Sequence, residues 1–287
     1  MNQSPLPEPG LQPGIAAQVP YLRSDLDRLH VEYAARILGA DLIDCRPCWI
    51  RDGRANPPSL DAEGFALTAC PSRVIAERGD DLRGARLGPE ALKAVQRAYW
   101  DQTIPHILAI SGAREVVPVH AASVRYSQRT GQQQVMTPAG WVHIDYDPQE
   151  AEVQLRETLE LNGCTPAPFS RYVLYQGWRA LSPPPQDFPL ALCDGRTVSP
   201  QDAVPIDYHM EAGGRDVTYR STGIRHNADH QWWYFPDMTI DEMILFKGFD
   251  SALGDRLKVI HVAIEDTSRP EAVPRISLES RYFALFD

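Results

Sequence analysis

The chain has 287 residues, with 28 lysines and arginines against 38 aspartates and glutamates, giving a net charge of −10. Hydrophobic residues make up 43% and aromatic residues 9%, enough for a sizeable core and too many for a disordered chain. No apolar run approaches the roughly 18–20 residues that span a bilayer. An acidic chain without a basic stripe is a poor match for nucleic acid or an anionic membrane.

The first residues lack the basic and apolar regions of a secretory leader. Five cysteines, Cys45, Cys48, Cys70, Cys164 and Cys193, are an odd count in a long chain, so no disulfide scaffold is expected. A reducing cytoplasm is the expected setting. Cys45-Arg-Pro-Cys48 has C-x-x-C spacing but no second pair for a zinc ribbon, and reads as ordinary thiols.

Residues 1–20 carry five prolines and almost no apolar pattern, which predicts a flexible or clinging extended arm. Residues 21–94 mix short apolar runs with turns and are expected to form a helical or irregular extension packed on a core. Leu92, Val95 and Tyr99 share one face behind Pro89, predicting a helix over 89–101 that ends before Pro105. The period then changes. Strand-like runs follow over 116–119, 122–126, 135–146 (interrupted at Pro138-Ala139-Gly140), 172–178, 190–193, 217–221, 231–235, 243–249, 258–264 and 276–286. One further helix starts behind Asp147-Pro148 and is closed by Gly163. Many short strands with few helices between them exclude a doubly wound parallel sheet. The expected fold is mainly β with flanking helices, a double-stranded β-helix or jelly roll, whose core spans 95–287.

His-x-Asp/Glu occurs three times, as His30-Val-Glu32, His143-Ile-Asp145 and His209-Met-Glu211. The first looks helical and the last sits beside a Gly213-Gly214 turn. His143 and Asp145 lie at a strand end, where residues i and i+2 share a face and can seat two ligands on one metal. A facial triad needs a third ligand. His261 fits, being out of place in the apolar run Val259-Ile-His-Val-Ala-Ile264. Arg275 and Ser277 also stand at i and i+2 and can together hold one carboxylate. Arg281, on the same strand face, is a second candidate for that anchor. This order of residues is expected of a non-haem Fe(II), 2-oxoglutarate-dependent oxygenase. His226 and His230 have H-x-x-x-H spacing, but their Asn/Asp-rich surroundings predict a loop, with His230 as a structural residue.

Several blocks resemble the family of cephamycin 7α-hydroxylase components and fungal hydroxylase/desaturase proteins. They are Val142-His-Ile-Asp-Tyr146, Tyr172-Val-Leu-Tyr-Gln-Gly-Trp-Arg179, Pro189-Leu-Ala-Leu-Cys-Asp-Gly-Arg-Thr-Val198, His230-Gln-Trp-Trp-Tyr-Phe-Pro236, Asp241-Glu-Met-Ile-Leu-Phe-Lys247 and Pro274-Arg-Ile-Ser277. The likeness covers residues 95–287. The chain departs from the family at three points. Gln176-Gly177 stands where the family has Asn before Val-Trp-Arg. Gln231-Trp232-Trp233 stands within the family's His-Arg-Trp-Tyr-Tyr. Gly248 stands where the family has Phe-Lys-Cys-Phe. These bear on the substrate and not on the proposed ligands.

The resemblance implies an oxidoreductase of secondary metabolism that uses Fe(II), 2-oxoglutarate and O2 to hydroxylate, desaturate or cyclise a small metabolite. Arg179 or Arg196 could clamp a substrate carboxylate or form a structural ion pair. Trp178 lies in a shared block, and one of Trp232 and Trp233 is expected to line the pocket. A carboxylate-bearing small metabolite is the expected partner, with no nucleic acid, no membrane and no assigned oligomeric state. Two rivals remain: a cupin-like metal enzyme independent of 2-oxoglutarate, which has no need of Arg275 and Ser277, and a non-catalytic jelly-roll binding protein.

Overall fold

Strands dominate the computed structural model, which describes residues 12–32, 38–83, 89–119, 122–132, 136–212, 215–254 and 259–287. The first part of the chain forms β1 (Gly14–Leu22), β2 (Leu29–Glu32), β3 (Ile43–Asp52), β4 (Phe65–Ala69), α1 (Arg73–Arg83) and α2 (Pro89–Ser111). Then come β5 (Glu115–Pro118), β6 (Ser123–Tyr126), β7 (His143–Ile144), α3 (Pro148–Leu161), β8 (Arg171–Ala180) and β9 (Leu190–Cys193). The rest forms β10 (Ala203–Ala212), β11 (Arg215–Ile224), β12 (Trp232–Tyr234), β13 (Glu242–Asp250), β14 (His261–Ala263) and β15 (Ile276–Phe286).

Nine strands form one sheet in the order β1-β3-β12-β9-β14-β7-β11-β10-β2. The second, six-stranded sheet runs β4-β13-β8-β15-β5, with β6 also paired to β15. This is the expected jelly roll. Strand alternation divides the side chains of β9 between two cores. Leu190 and Leu192 pack with Trp178, Ile244 and Phe246 of the second sheet. Ala191 and Cys193 face the other way, against Val19, Tyr21, Ile50, Trp232 and Val262 of their own curled sheet. Helix α2 covers the outer face of the second sheet, packing Ile107 against Val173, Leu245 and Tyr282. Helix α3 closes one end, placing Ala151 and Leu155 on Tyr146, Leu174 and Phe283. Its start is as expected: Asp147 accepts from the Glu150 amide at 2.6 Å, and Gly163 follows the helix at φ 61°.

The N-terminal third departs from expectation. Residues 14–22, assigned in part to a flexible or clinging extended arm, form the extended strand β1, paired along its length with β3. Residues 1–11 of that arm lie outside the described residues. Strands β3 and β4, from the expected extension, join the two sheets through β12 and β13, so no boundary separates them from the core. Val19, Tyr21 and Leu22 are fully buried, and that burial overrides the prolines around them. Helix α2 continues through Pro105 to Ser111. Proline removes one helical hydrogen bond and crowds the preceding turn, but Ile107 and Leu108 beyond it pack in the core.

His30 and His209, read as helix and turn, lie on β2 and β10, which pair in parallel. The Gly213-Gly214 turn lies outside the described residues, as do Val135 and Lys258 of the expected strands. Of the strand expected over 135–146, the part beyond the expected interruption at Pro138-Ala139-Gly140 is the short β7.

Candidate active site

His261 of β14 stands directly opposite His143 of β7 in an antiparallel pair, which puts both imidazoles on one face of the nine-stranded sheet. Asp145 follows two residues after His143 and shares that face. The three side chains offer ligand atoms all within 4.8 Å of one another. His143 Nε2 lies 3.5 Å from Asp145 Oδ1, and the two histidine rings are 4.4 Å apart. His143 Nδ1 donates to the Trp141 carbonyl at 2.9 Å, which leaves Nε2 as the ligand atom and fixes the ring. His261 Nδ1 is buried without a hydrogen-bond partner. Two histidines and one carboxylate on one side of a point suit a divalent iron with open positions.

Electrostatics favour a cation here. Burial alone would raise the Asp145 carboxyl, but the Arg281 guanidinium, followed by His143 and His261, outweighs it and holds the carboxyl well below its usual range. Burial, then the neighbouring His143, pushes His261 down to about 4. The His261 imidazole is therefore available as a neutral ligand at neutral pH.

A cavity of about 470 Å³, solvent at its mouth included, lies between the triad and the second sheet. Its far wall is built by alternation along two strands. Gln176 and Trp178 of β8 stand opposite Arg281 and Glu279 of β15. Arg275 precedes this strand and Ser277 lies within it, so Arg275, Ser277, Glu279 and Arg281 fall at alternate positions. Arg275 is buried; it donates to the Phe188 carbonyl at 2.9 Å, and its guanidinium lies 5.3 Å from the Trp178 ring. Burial lowers its pKa to about 10. Arg275 Nε, Ser277 Oγ, Trp178 Nε1 and Gln176 Nε2 are all buried without partners. All four can donate; Gln176, Trp178 and Arg275 line the cavity, a wall suited to carboxylate oxygens, and Ser277 follows Arg275 at the next alternate position.

Arg281, the second candidate for the anchor, also has its Nε buried without a partner. It donates to Asp145 Oδ2 at 2.7 Å, and its guanidinium lies 5.6 Å from the Tyr146 ring. Trp178 lines the cavity. Arg179 does not reach it: alternation turns this fully buried side chain to the outer face, where it holds the Cys70 carbonyl at 2.7 Å and the Ile240 carbonyl at 2.5 Å. Arg196 is bound to Asp194 at 2.7 Å and Glu63 at 2.8 Å, also away from the cavity. Trp232 packs in the core of the curled sheet and donates to Tyr21 at 2.9 Å. Trp233 packs with Phe65 between the sheets and donates to the Asn56 carbonyl at 3.3 Å. Neither tryptophan lines the cavity. His230 bonds Tyr21 and Asp202 at 3.0 and 3.1 Å, a structural arrangement.

Sequence reasoning missed Gln176, Phe246, Arg125 and Glu279 as cavity residues. A signal existed for Glu279: it continues the polar i, i+2 series that starts at Arg275. Arg125 pairs with it at 3.0 Å, a contact made only by the pairing of β6 with β15.

Residues 43–285 match the family described as the oxidoreductase/YMDC permease-like domain. The chain is 26% identical over 263 residues to the hydroxylase/desaturase efuI of Hormonema carpetanum, covering 84% of each. It is 26% identical over 231 residues to the Fe(II)/2-oxoglutarate-dependent dioxygenase nvfI of Aspergillus novofumigatus, covering 80% of each. Among solved structures, the iron and alpha-ketoglutarate-dependent endoperoxidase NvfI has the same fold, with a TM-score of 0.71 and 19% identity over 95% of this chain and 98% of that one.

Proposed function

From a chain that belongs to the oxidoreductase/YMDC permease-like domain family, we propose a non-haem Fe(II)/2-oxoglutarate-dependent oxygenase that acts on a small metabolite in natural-product biosynthesis. One observation carries this reading: a two-histidine, one-carboxylate face stands across one cavity from a wall of unpartnered buried donors. The names of the relatives efuI and nvfI support the same class.

His143, Asp145 and His261 hold the iron, which supplies activation of O2 coupled to oxidation of the 2-oxo acid. Arg275 and Ser277 receive the distal carboxylate of 2-oxoglutarate, since each has a buried donor without a protein partner. The apolar side chains Leu190 and Phe246 keep bulk water from the reacting face. The substrate is a small metabolite; at the cavity wall it meets Arg125, which is paired with Glu279 at 3.0 Å, and not the distant Arg179 and Arg196. How the substrate is held decides between hydroxylation, of the kind cephamycin 7α-hydroxylase components perform, desaturation and ring closure. None of the five cysteines is in a disulfide, which suits a cytoplasmic setting. No helix of the described residues is long and apolar enough to cross a membrane.

Anaerobic titration with Fe(II) and 2-oxoglutarate tests the class. A weak visible charge-transfer band, followed by succinate release on exposure to air, is expected. A metal enzyme independent of 2-oxoglutarate would bind iron without the band, and a binding protein would show neither.

A further inference from the structure

Gln176 is 5% exposed, and its Nε2 makes no hydrogen bond within the protein. It lies in the middle of a cross-strand row, between Phe246 of β13 and Arg281 of β15. The ends of that row touch the metal ligands. The Phe246 ring is 4.9 Å from the His261 ring, and Arg281 is 2.7 Å from Asp145. The middle of the row therefore stands across one cavity from the triad.

A second observation concerns the space behind the amide. Gly248 occupies the irregularity of β13 between Lys247 and Phe249. A Cβ built there would stand 2.8 Å from Gln176 Nε2 and 3.3 Å from its Cγ. Under 3.0 Å something must move, so the Gln176 side chain occupies the volume that any side chain at 248 would need. The long amide at 176 and the missing side chain at 248 are thus complementary in volume, as close packing requires.

We propose that the Gln176 amide is a hydrogen-bond donor to the 2-oxo acid on the metal's open side, and that Gly248 is the recess that sets its reach. The inference rests on the reading of this cavity as a 2-oxoglutarate site. A buried amide without a partner is costly to the empty protein, and a carboxylate or keto oxygen arriving at the row's centre relieves that cost. Gln176 is a binding and positioning residue for the cosubstrate, distinct from the anchor at Arg275 and Ser277.

The test uses full-length protein loaded anaerobically with Fe(II) and titrated with 2-oxoglutarate. Gln176→Leu should weaken 2-oxoglutarate about tenfold, the scale of one lost hydrogen bond, and move the maximum of the charge-transfer band, with Fe(II) affinity unchanged. Gly248→Ala should do the same by displacing the amide. Gly248→Ala combined with Gln176→Asn, one methylene shorter, should recover most of both losses, a rescue that a merely structural role would not give. If Gln176→Leu does not fold, Gln176→Asn alone gives the same readout. Unchanged affinity and band position in the Gln176 variants, with a normal wild-type band, overturn this inference alone. No band in the wild-type protein overturns the cosubstrate reading and this inference with it.

Discussion

Arg281 donates to Oδ2 of Asp145 at 2.7 Å, while Oδ1 of the same carboxylate faces His143 Nε2 at 3.5 Å. The arginine thus takes one oxygen and leaves the other for the metal. Both side chains are largely buried, at 11% and 15% exposure. Arg281→Met should therefore weaken metal binding by about 10–100-fold, as loss of a partner behind a ligand does. It should also destabilise the metal-free protein by about 3–5 kcal/mol, because a buried charge is left alone. Co(II) titration and chemical denaturation measure the two effects. Unchanged Co(II) affinity would remove Arg281 from the metal site.

His261 gives a pH dependence of definite sign. Its pKa falls to about 4 in the folded chain, below the unfolded value of about 6.5. Between these values the unfolded state binds more protons, so stability falls as pH falls. The loss across that window is about 3 kcal/mol at about 1.4 kcal/mol per pH unit. His261→Leu should abolish metal binding, flatten this part of the stability–pH curve and leave the metal-free fold intact. Denaturation midpoints at several pH values test it, and a variant as acid-sensitive as wild type between pH 4 and 6.5 would refute it.

Arg275→Ala should raise the 2-oxoglutarate dissociation constant steeply, since losing one partner of a buried charged contact costs about 2–5 kcal/mol. Iron affinity should change little, because Arg275 contacts no ligand of the triad. The contrast with Arg281→Met is the decisive comparison, one variant losing the cosubstrate and the other the metal. Identical losses in both would merge the two roles.

Arg179 provides the structural control. It is fully buried and holds two backbone carbonyls on the side of the second sheet turned away from the cavity. Arg179→Met should lower stability by about 1–3 kcal/mol per orphaned carbonyl and leave 2-oxoglutarate affinity unchanged. A raised KM for cosubstrate at unchanged stability would return Arg179 to the site.

The sequence by itself determined the elements whose signal is local. Strand alternation put His143 with Asp145 and Arg275 with Ser277, and the Asp147-Pro148 start defined α3. His261 was legible as a polar residue in an apolar run. Only the tertiary structure decided which residues meet across strands and which face each side chain takes. It drew residues 14–22 and 43–52 into the nine-stranded sheet, where burial outweighs the local proline content. It turned Arg179 outward one position after Trp178, because a strand reverses face at every residue. It also joined Arg281 to Asp145, and Gln176 to the recess at Gly248, across 136 and 72 positions of chain. No periodicity spans such distances; the register between β8, β13 and β15 creates these contacts.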